Sequence, residues 1–321
     1  MSLKDAINNR NEKLPVAPLV DVGYLASAMG IDLRKVLNNP KVYADILIES
    51  KNYFGYDWLW KDWFYEFAFE GKIAGDNMIF ETELGIQITV PKKGYPWVSK
   101  HNSSFEFYDL RNKVLEDLRK RTSGFICGTV LGPFTFCATW MFELEDFLIK
   151  ILSEPDMVKE WLKISAEFVS NCANVQLDYA DAIFILDSAS NPDIISSQVY
   201  KRYSYPFQKK ILKKIKGDAI LHICGDPSPI MREFLSLRSV PSFSEHTDIS
   251  KIKKRPIMGN YSPERLIRQE KNGIVNEVSD LVHKIGKKGF ILSTGSHIRM
   301  DTPPERLKIF VEAGRLADSS G

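Results

Sequence analysis

Short apolar runs rich in β-branched residues alternate with longer amphipathic segments over the second two-thirds of the chain. These runs cover residues 124–130, 182–187, 219–224, 242–245, 256–260 and 289–294, with an earlier run at 15–20 and another near 56–60. Such alternation is typical of parallel βα units. Eight parallel strands with helices between them close into a (β/α)8 barrel, so the pattern predicts an α/β fold of the TIM-barrel class.

The segments between the runs carry apolar residues at helical spacing. In one segment these are Phe107, Leu110, Val114 and Leu118, and in another they are Val158, Trp161, Phe168 and Cys172. Thr302, followed by two prolines and Glu305, predicts a capping box that opens a last helix reaching about Leu316. Residues 73–91 instead alternate polar and apolar residues around glycines, which predicts a β-hairpin inserted beside the barrel.

No internal repeat, Gly/Ser linker or charge block divides the chain. We therefore expect one barrel domain over residues 1–321, with an N-terminal helical segment and the β-hairpin as additions. The composition, 44% hydrophobic and 26% charged, is that of an ordinary globular protein.

Charge and cysteine content exclude several classes of function. The 43 basic residues barely exceed the 41 acidic ones, so we expect no nucleic-acid partner, because phosphate binding needs a clustered basic excess. No stretch approaches the roughly 18 apolar residues of a membrane span, so no membrane association is expected. Four irregularly spaced cysteines form no CxxC pair, and the N-terminus is polar. These features favour a cytoplasmic location.

Polar residues follow the ends of several predicted strands, where a barrel builds its active site. We predict catalytic roles for Asp187, Glu245 and Asn260, and substrate-binding roles for Ser188, His246 and Ser296. The two carboxylates would act as acid or base, and Asn260 would orient the substrate. An alternative for such residues, above all Ser188 and the nearby Asp248, is that they cap the helices that follow.

The sequence His222-Ile223-Cys224 lies at a strand end, where side chains two residues apart point to the same side. An imidazole and a thiolate are preferred zinc ligands, but a zinc site needs a third protein ligand. Neighbouring strand ends offer Glu245, His246, Ser296 and His297. The competing interpretation is that the pair only packs inside the barrel mouth, because buried cysteine is common and usually inert.

Three stretches resemble the signatures of the uroporphyrinogen decarboxylase superfamily. They are residues 218–234 (DAILHICGDPSPIMREF), Gly259-Asn260 followed by Pro263, and residues 289–306 (GFILSTGSHIRMDTPPER). They look most like its corrinoid-dependent methyltransferases, the group that includes methylcobalamin:coenzyme M methyltransferase. Residues 131–135 and 182–206 continue the similarity, which covers roughly residues 12–318 and implies the same barrel.

The resemblance also implies zinc, bound by the HxC pair and a cysteine in a late Gly-Cys motif. His222 and Cys224 match this pattern. The late motif here reads Gly295-Ser296-His297, and a serine hydroxyl is a poor zinc ligand. We therefore predict His222, Cys224 and His297 as metal ligands; His246 is another candidate for the third position, and weak or absent metal binding is the alternative.

The implied activity is transfer of a methyl group between a separate corrinoid protein carrying methylcobalamin and a small acceptor or donor. A thiol such as coenzyme M and tetrahydrofolate are the candidates. The corrinoid is expected on a partner because the chain lacks the Asp-x-His-x-x-Gly pattern of cobalamin-binding proteins.

Two other functions stay open. One is a metal-independent decarboxylase or lyase, although that branch carries an arginine-rich N-terminal segment and residues 15–30 contain no arginine. The other is a non-catalytic barrel that binds a folate or corrinoid.

Overall fold

A computed structural model of the protein describes residues 3–7, 12–37, 39–61, 71–74, 77–81, 87–91, 105–252 and 255–319. The strands are β1 (Trp58–Trp60), β2 (Gly71–Ala74), β3 (Asn77–Glu81), β4 (Gln87–Pro91), β5 (Phe125–Leu131), β6 (Ala182–Leu186), β7 (Asp218–Ile223), β8 (Val240–Phe243), β9 (Ile257–Tyr261) and β10 (Phe290–Thr294). Seven of them form one parallel sheet in the order β1-β5-β6-β7-β8-β9-β10. The protein is therefore an α/β fold built on a seven-stranded parallel sheet.

Helices precede the sheet and separate its strands, except between β8 and β9, where the described residues form only a 3-10 turn, Ile249–Lys251. They are α1 (Leu3–Ile7), α2 (Val22–Ala28), α3 (Leu33–Leu37), α4 (Pro40–Phe54), α5 (Phe105–Arg121), α6 (Pro133–Phe136), α7 (Leu144–Ser153), α8 (Pro155–Gln176), α9 (Ser197–Val199), α10 (Tyr205–Lys214), α11 (Met231–Ser236), α12 (Pro263–Arg268), α13 (Lys271–Ile285) and α14 (Pro304–Ser319). Two π-helical turns, Cys137–Met141 and Tyr200–Ser204, interrupt the α-helical geometry. In the part of the chain that the structure describes, no helix is long and apolar enough to cross a bilayer.

Six of the eight predicted apolar runs coincide with strands of the parallel sheet. Strands β5, β6, β9 and β10 are buried along their whole length, because a parallel sheet covered by helices leaves neither face to solvent. One run is displaced: residues 242–245 were expected as a strand, whereas β8 begins two residues earlier. The earlier residues Val240 and Pro241 pair with Ile220 and Leu221 of β7, which fixes this register.

The run at residues 15–20 is not a regular strand. It makes a single parallel bridge, between Val16 and Leu292 of β10. The prolines at positions 15 and 18 lack an N–H group, so the ladder cannot extend on either side. The Val16 carbonyl nevertheless accepts a bond from Asp57 N at 2.9 Å, beside β1. This segment therefore joins the two edge strands of the sheet.

Residues 71–91 contain a small antiparallel sheet in the order β2-β3-β4. Ile73 pairs with Met78, and Met78 pairs with Val90. The hairpin was expected in this region, and its connecting residues 75–76 and 82–86 lie outside the described residues.

Helix termini follow local sequence signals in one case and depart from them in another. Helix α4 begins after Asn39, whose side chain accepts from Lys41 N and Val42 N, and it ends at Gly55 with a left-handed φ of 81°. The capping box expected at Thr302 is not formed. Helix α14 begins two residues later, and the buried Thr302 hydroxyl makes no hydrogen bond.

An ion pair ties the last helix to the start of the sheet. The Asp57 carboxylate accepts two bonds from Arg315 of α14, at 2.8 and 2.9 Å, and one from Val16 N at 2.7 Å. The same carboxylate thus holds the segment that joins β10 to β1.

We expect Asp57→Ala to lower the free energy of unfolding by about 2 to 3 kcal/mol, because it removes three charge-assisted hydrogen bonds in a half-buried site. Urea unfolding followed by circular dichroism measures the change. Glu160→Ala is the matched control: it breaks an exposed pair with Lys163 and should change stability by less than about 0.5 kcal/mol. Equal losses in the two variants would show that Asp57 contributes no more than a surface charge.

Candidate active site

The HxC pair lies at the carboxyl end of β7. His222 is 1% exposed, and its Nδ1 lies 3.0 Å from Ser242 Oγ on β8. Its ring stacks on Phe184 of β6, with the ring centres 5.8 Å apart. The other ring nitrogen, Nε2, lies 3.5 Å from Cys224 Sγ, and Cys224 is half-buried. The structure therefore brings the two predicted ligands together and fixes the imidazole from three sides.

Burial decides the protonation of both groups. It lowers the pKa of His222 to about 3, with a smaller contribution in the same direction from His297. It raises the pKa of the Cys224 thiol to about 11, and the charge of Glu245 adds to this increase. At neutral pH a neutral imidazole therefore faces a neutral thiol, rather than an imidazolium facing a thiolate.

Glu245 lies over the late glycine motif. A Cβ atom added to Gly295 would fall 2.4 Å from Glu245 N and 2.5 Å from Glu245 Oε2. The backbone at residue 295 therefore runs directly beneath this glutamate. Ser296 and His297, which follow in the chain, are half-buried. Glu245 thus lies beside the late motif, and its charge acts on Cys224.

The predicted zinc ligands do not complete a metal site. Zinc needs three protein donors and an open fourth position, and His222 with Cys224 supplies two converging donors. Among the residues that the structure describes, no three His, Cys, Asp or Glu side chains are arranged to hold a metal ion. His297 lies near enough to influence the pKa of His222 without joining such a group. The described donors therefore do not fit zinc.

Asn260, at the end of β9, is buried and holds the loop after β8. Its Nδ2 donates to the carbonyls of Ser244 and Thr247, at 2.9 and 2.7 Å. Both amide hydrogens are used in these bonds, so Asn260 can offer a substrate only its Oδ1 oxygen.

The loop after β8 also borders a surface cleft of about 610 Å³. Glu245, Asn260 and the exposed His246 line this cleft together with residues of α12 and α13. His246 therefore faces this cleft rather than the His222–Cys224 pair.

Asp187 and Ser188 follow β6. The Asp187 side chain is fully buried, and its carboxylate accepts bonds from Thr135 and Gln208. Ser188 is half-buried at the start of a 3-10 turn.

Three polar residues of this region were not singled out from the sequence: Thr135, Gln208 and Ser242. Ser242 could have been found, since it is the residue opposite His222 in the parallel register of β7 and β8. Thr135 and Gln208 meet Asp187 across 52 and 21 residues, and no local pattern indicates such contacts.

The sequence model of the family described as uroporphyrinogen decarboxylase (URO-D) matches residues 9–316. A methylated-thiol–coenzyme M methyltransferase of Methanosarcina mazei is 25% identical over 208 residues, which cover 62% of this chain and 56% of that protein. The methylcobamide:CoM methyltransferase MtbA of Methanosarcina acetivorans is 25% identical over 201 residues, 59% of this chain and 58% of that protein.

A uroporphyrinogen decarboxylase of Prochlorococcus marinus is 28% identical over 222 residues, 63% of this chain and 63% of that protein. The chain thus spans less than two thirds of the length of each of these relatives.

Two solved structures share the fold. A methyltransferase from Methanosarcina mazei superposes with a TM-score of 0.80 over 98% of both chains, at 18% identity. A B12-independent methionine synthase from Shewanella superposes with a TM-score of 0.61 over 95% of both chains, at 12% identity. The protein therefore shares the overall fold of these two structures.

We expect Gly295→Ala to lower the free energy of unfolding by about 2 kcal/mol, because the new methyl group would overlap the Glu245 backbone and force the two loops apart. Urea unfolding checks this value. Gly273→Ala is the control: in α13 the added Cβ would meet its nearest atoms at 3.5 Å, and helix propensity should raise stability by about 0.5 kcal/mol. An unchanged free energy of unfolding in Gly295→Ala would mean that Glu245 can move freely away from the late motif.

Proposed function

The chain belongs to the uroporphyrinogen decarboxylase family, and from this premise we propose that it is a methyltransferase. It moves a methyl group between a separate corrinoid protein carrying methylcobalamin and a small acceptor or donor. The reaction takes place at the carboxyl edge of the parallel sheet. With residues 15–17 joining β10 to β1, we interpret that sheet as a closed (β/α)8 barrel in one domain.

The observation that carries this proposal is the pair of buried His222 and half-buried Cys224, whose Nε2 and Sγ atoms lie 3.5 Å apart at the end of β7. Methyl transfer from a methyl-corrinoid to a thiol breaks the carbon–cobalt bond, leaves the electron pair on cobalt as Co(I), forms a carbon–sulfur bond and releases the thiol proton. A site for this reaction needs an acceptor held in line and a group that takes up that proton.

Residues around the pair provide for both needs. Glu245 is the carboxylate whose charge acts on Cys224, and we assign it the acid–base role. The Asn260 Oδ1 oxygen and the half-buried hydroxyls of Ser188 and Ser296 are suited to orient the small substrate. His246, which faces the cleft of about 610 Å³, is assigned to substrate entry rather than to chemistry.

Zinc, where it binds in this family, holds an acceptor thiol as a thiolate near neutral pH. The described residues offer two converging donors rather than three, so no step proposed here runs through zinc. His297 stays the predicted third ligand. A non-thiol acceptor such as tetrahydrofolate, which needs a base for the proton it releases and hydrogen bonds rather than a metal, suits the observed residues better than a thiol.

A decarboxylase is the second candidate, because the Prochlorococcus relative named for that activity is 28% identical. A porphyrinogen with many carboxylates requires several guanidinium partners. Residues 15–30 contain no arginine, and the first six of them are buried between β10 and β1. These observations favour the methyltransferase.

Methyl transfer is tested directly by the absorbance of cobalamin, since methyl-Co(III) and Co(I) differ in spectrum. We expect purified protein to demethylate methylcobalamin in the presence of tetrahydrofolate or a thiol. Glu245→Gln should slow this turnover by about 100-fold, because it removes the acid–base group and keeps the shape. Glu160→Gln on α8, an exposed residue paired with Lys163, is the control and should retain turnover. Ligand binding without turnover by the wild type would favour a non-catalytic barrel.

The zinc content per chain, measured on wild type and Cys224→Ala after identical purification, tests the metal. We expect well under one zinc per chain in both proteins, because two donors bind zinc weakly. Near-stoichiometric zinc that is lost in Cys224→Ala would contradict this expectation and show that a third ligand completes the site. His297→Ala would then identify whether that ligand is His297.

A further inference from the structure

A chain of buried hydrogen bonds surrounds the Asp187 carboxylate. Its Oδ1 atom accepts from Thr135 N at 2.9 Å and from Thr135 Oγ1 at 2.7 Å. Its Oδ2 atom accepts from Gln208 Nε2 at 2.7 Å and from Ser204 Oγ at 3.5 Å. The Gln208 Oε1 atom in turn accepts from Tyr200 Oη at 2.8 Å. All four partner side chains are at most 2% exposed, so the carboxylate is enclosed by donors.

These bonds join segments that follow two neighbouring strands. Thr135 lies in α6, directly after β5, and its hydroxyl also accepts from Ala189 N after β6. Gly132 marks how closely the two segments approach: a Cβ added there would fall 2.1 Å from Asp187 Cγ. Gln208 adds α10, and Ser204 adds the π-helical turn before it. One carboxylate therefore holds four segments together.

The same network reaches the HxC pair through the backbone. Asp187 N donates to the carbonyl of His222 at 3.0 Å. The loop that begins at Asp187 then passes over Gly225, the residue after Cys224. A Cβ at Gly225 would fall 2.3 Å from Asp193 and 2.4 Å from Asn191. The position of this loop therefore constrains the backbone directly after Cys224.

A group that transfers protons to a substrate must come within hydrogen-bond reach of it. Asp187 has no exposed surface, and both of its oxygens already accept bonds from protein donors. These surroundings suit a carboxylate that accepts hydrogen bonds and stays in place. A buried polar network of this kind stabilises one arrangement only when each of its polar groups has a hydrogen-bond partner.

We propose that Asp187 is a positioning residue, not an acid or base: its carboxylate locks the loops after β5 and β6 so that the second loop lies against Cys224. The part of this inference that concerns turnover rests on the proposed methyltransferase function. It replaces the catalytic role that the sequence predicted for Asp187.

The test moves the negative charge from residue 187 to residue 208 and keeps a hydrogen bond between the two side chains. In Asp187→Asn the new side-chain NH2 group faces the Nε2 group of Gln208. Both groups are donors, so the hydrogen bond between them is lost. In the double variant Asp187→Asn with Gln208→Glu, the introduced glutamate accepts from the introduced amide at one oxygen and from Tyr200 at the other. A positioning role predicts that the double variant recovers methyl transfer to within about 5-fold of wild type, whereas Gln208→Glu alone, with two adjacent carboxylates, loses at least about 10-fold.

A second readout needs no turnover. Cys224 is half-buried and the other three cysteines are buried, so brief treatment with iodoacetamide labels Cys224 selectively, and mass spectrometry gives its rate. We expect Asp187→Ala to raise this rate by about 10-fold or more as the loop loosens, and the double variant to restore it. Asp181→Asn is the matched control: Asp181 lies at the opposite end of β6, accepts from Ile126 N and Arg119, and should leave the labelling rate unchanged.

Two results would overturn the proposal. One is an unchanged labelling rate in both Asp187→Ala and Asp187→Asn; the single amide variant keeps this arm informative if the alanine variant does not fold. The other is a double variant with restored labelling but turnover still lowered by about 100-fold or more, because residue 187 would then need its own carboxylate for chemistry. A wild type without methyl transfer would overturn the proposed function alone, and the labelling rates would still decide the role of Asp187.

Discussion

The candidate site depends on the parallel register of β6, β7 and β8. Because parallel strands end at one edge, the register places His222 opposite Ser242 and directs the chain after each strand toward the same point. The hydrogen bond between these two side chains fixes the imidazole, and the stacked Phe184 ring prevents it from turning. A shift of β8 by one residue would direct Ser242 to the opposite face of the sheet and leave a buried ring nitrogen without its partner.

Around this centre the protein uses two means of bringing loops into contact. Glycines remove side chains where backbones and carboxylates meet: Gly132 against Asp187, Gly225 against the loop after β6, and Gly295 beneath Glu245. Polar side chains such as Asn260 then hold the loops where they meet. The site is thus assembled by close backbone approach and buried hydrogen bonds. The resulting burial keeps the His222 imidazole and the Cys224 thiol neutral at neutral pH.

The sequence predicted the features that have a local signal, and it did not predict contacts between segments that are distant along the chain. Strands such as β6 and β10 were evident because an apolar run of β-branched residues reports burial by itself, and the convergence of His222 with Cys224 follows from strand alternation. The partners of Asp187 were not predictable, because Thr135 and Gln208 lie in other segments and only the folded chain unites them. Thr302 does not cap α14 for a related reason. The local motif makes a capping hydrogen bond possible, but packing of the helix decides where it begins. The zinc prediction assumed that three strand ends would converge, and the described residues bring two donors together.

The segment at residues 15–17 has a kinetic consequence. It lies between the first and last strands of the sheet, and Leu19 bonds to Thr294 across 275 residues of sequence. During synthesis from the amino end, Asp57 beside β1 is available early to bond to this segment. The opposite edge of the segment stays unpaired until β10 has been made. Contacts so distant in sequence slow folding, because most of the chain must be ordered before they form. Until β10 is made, the far side of this segment and the edge of β9 lack their partner strand. A protein built in this way therefore has the greatest need of chaperone protection before β10 is complete.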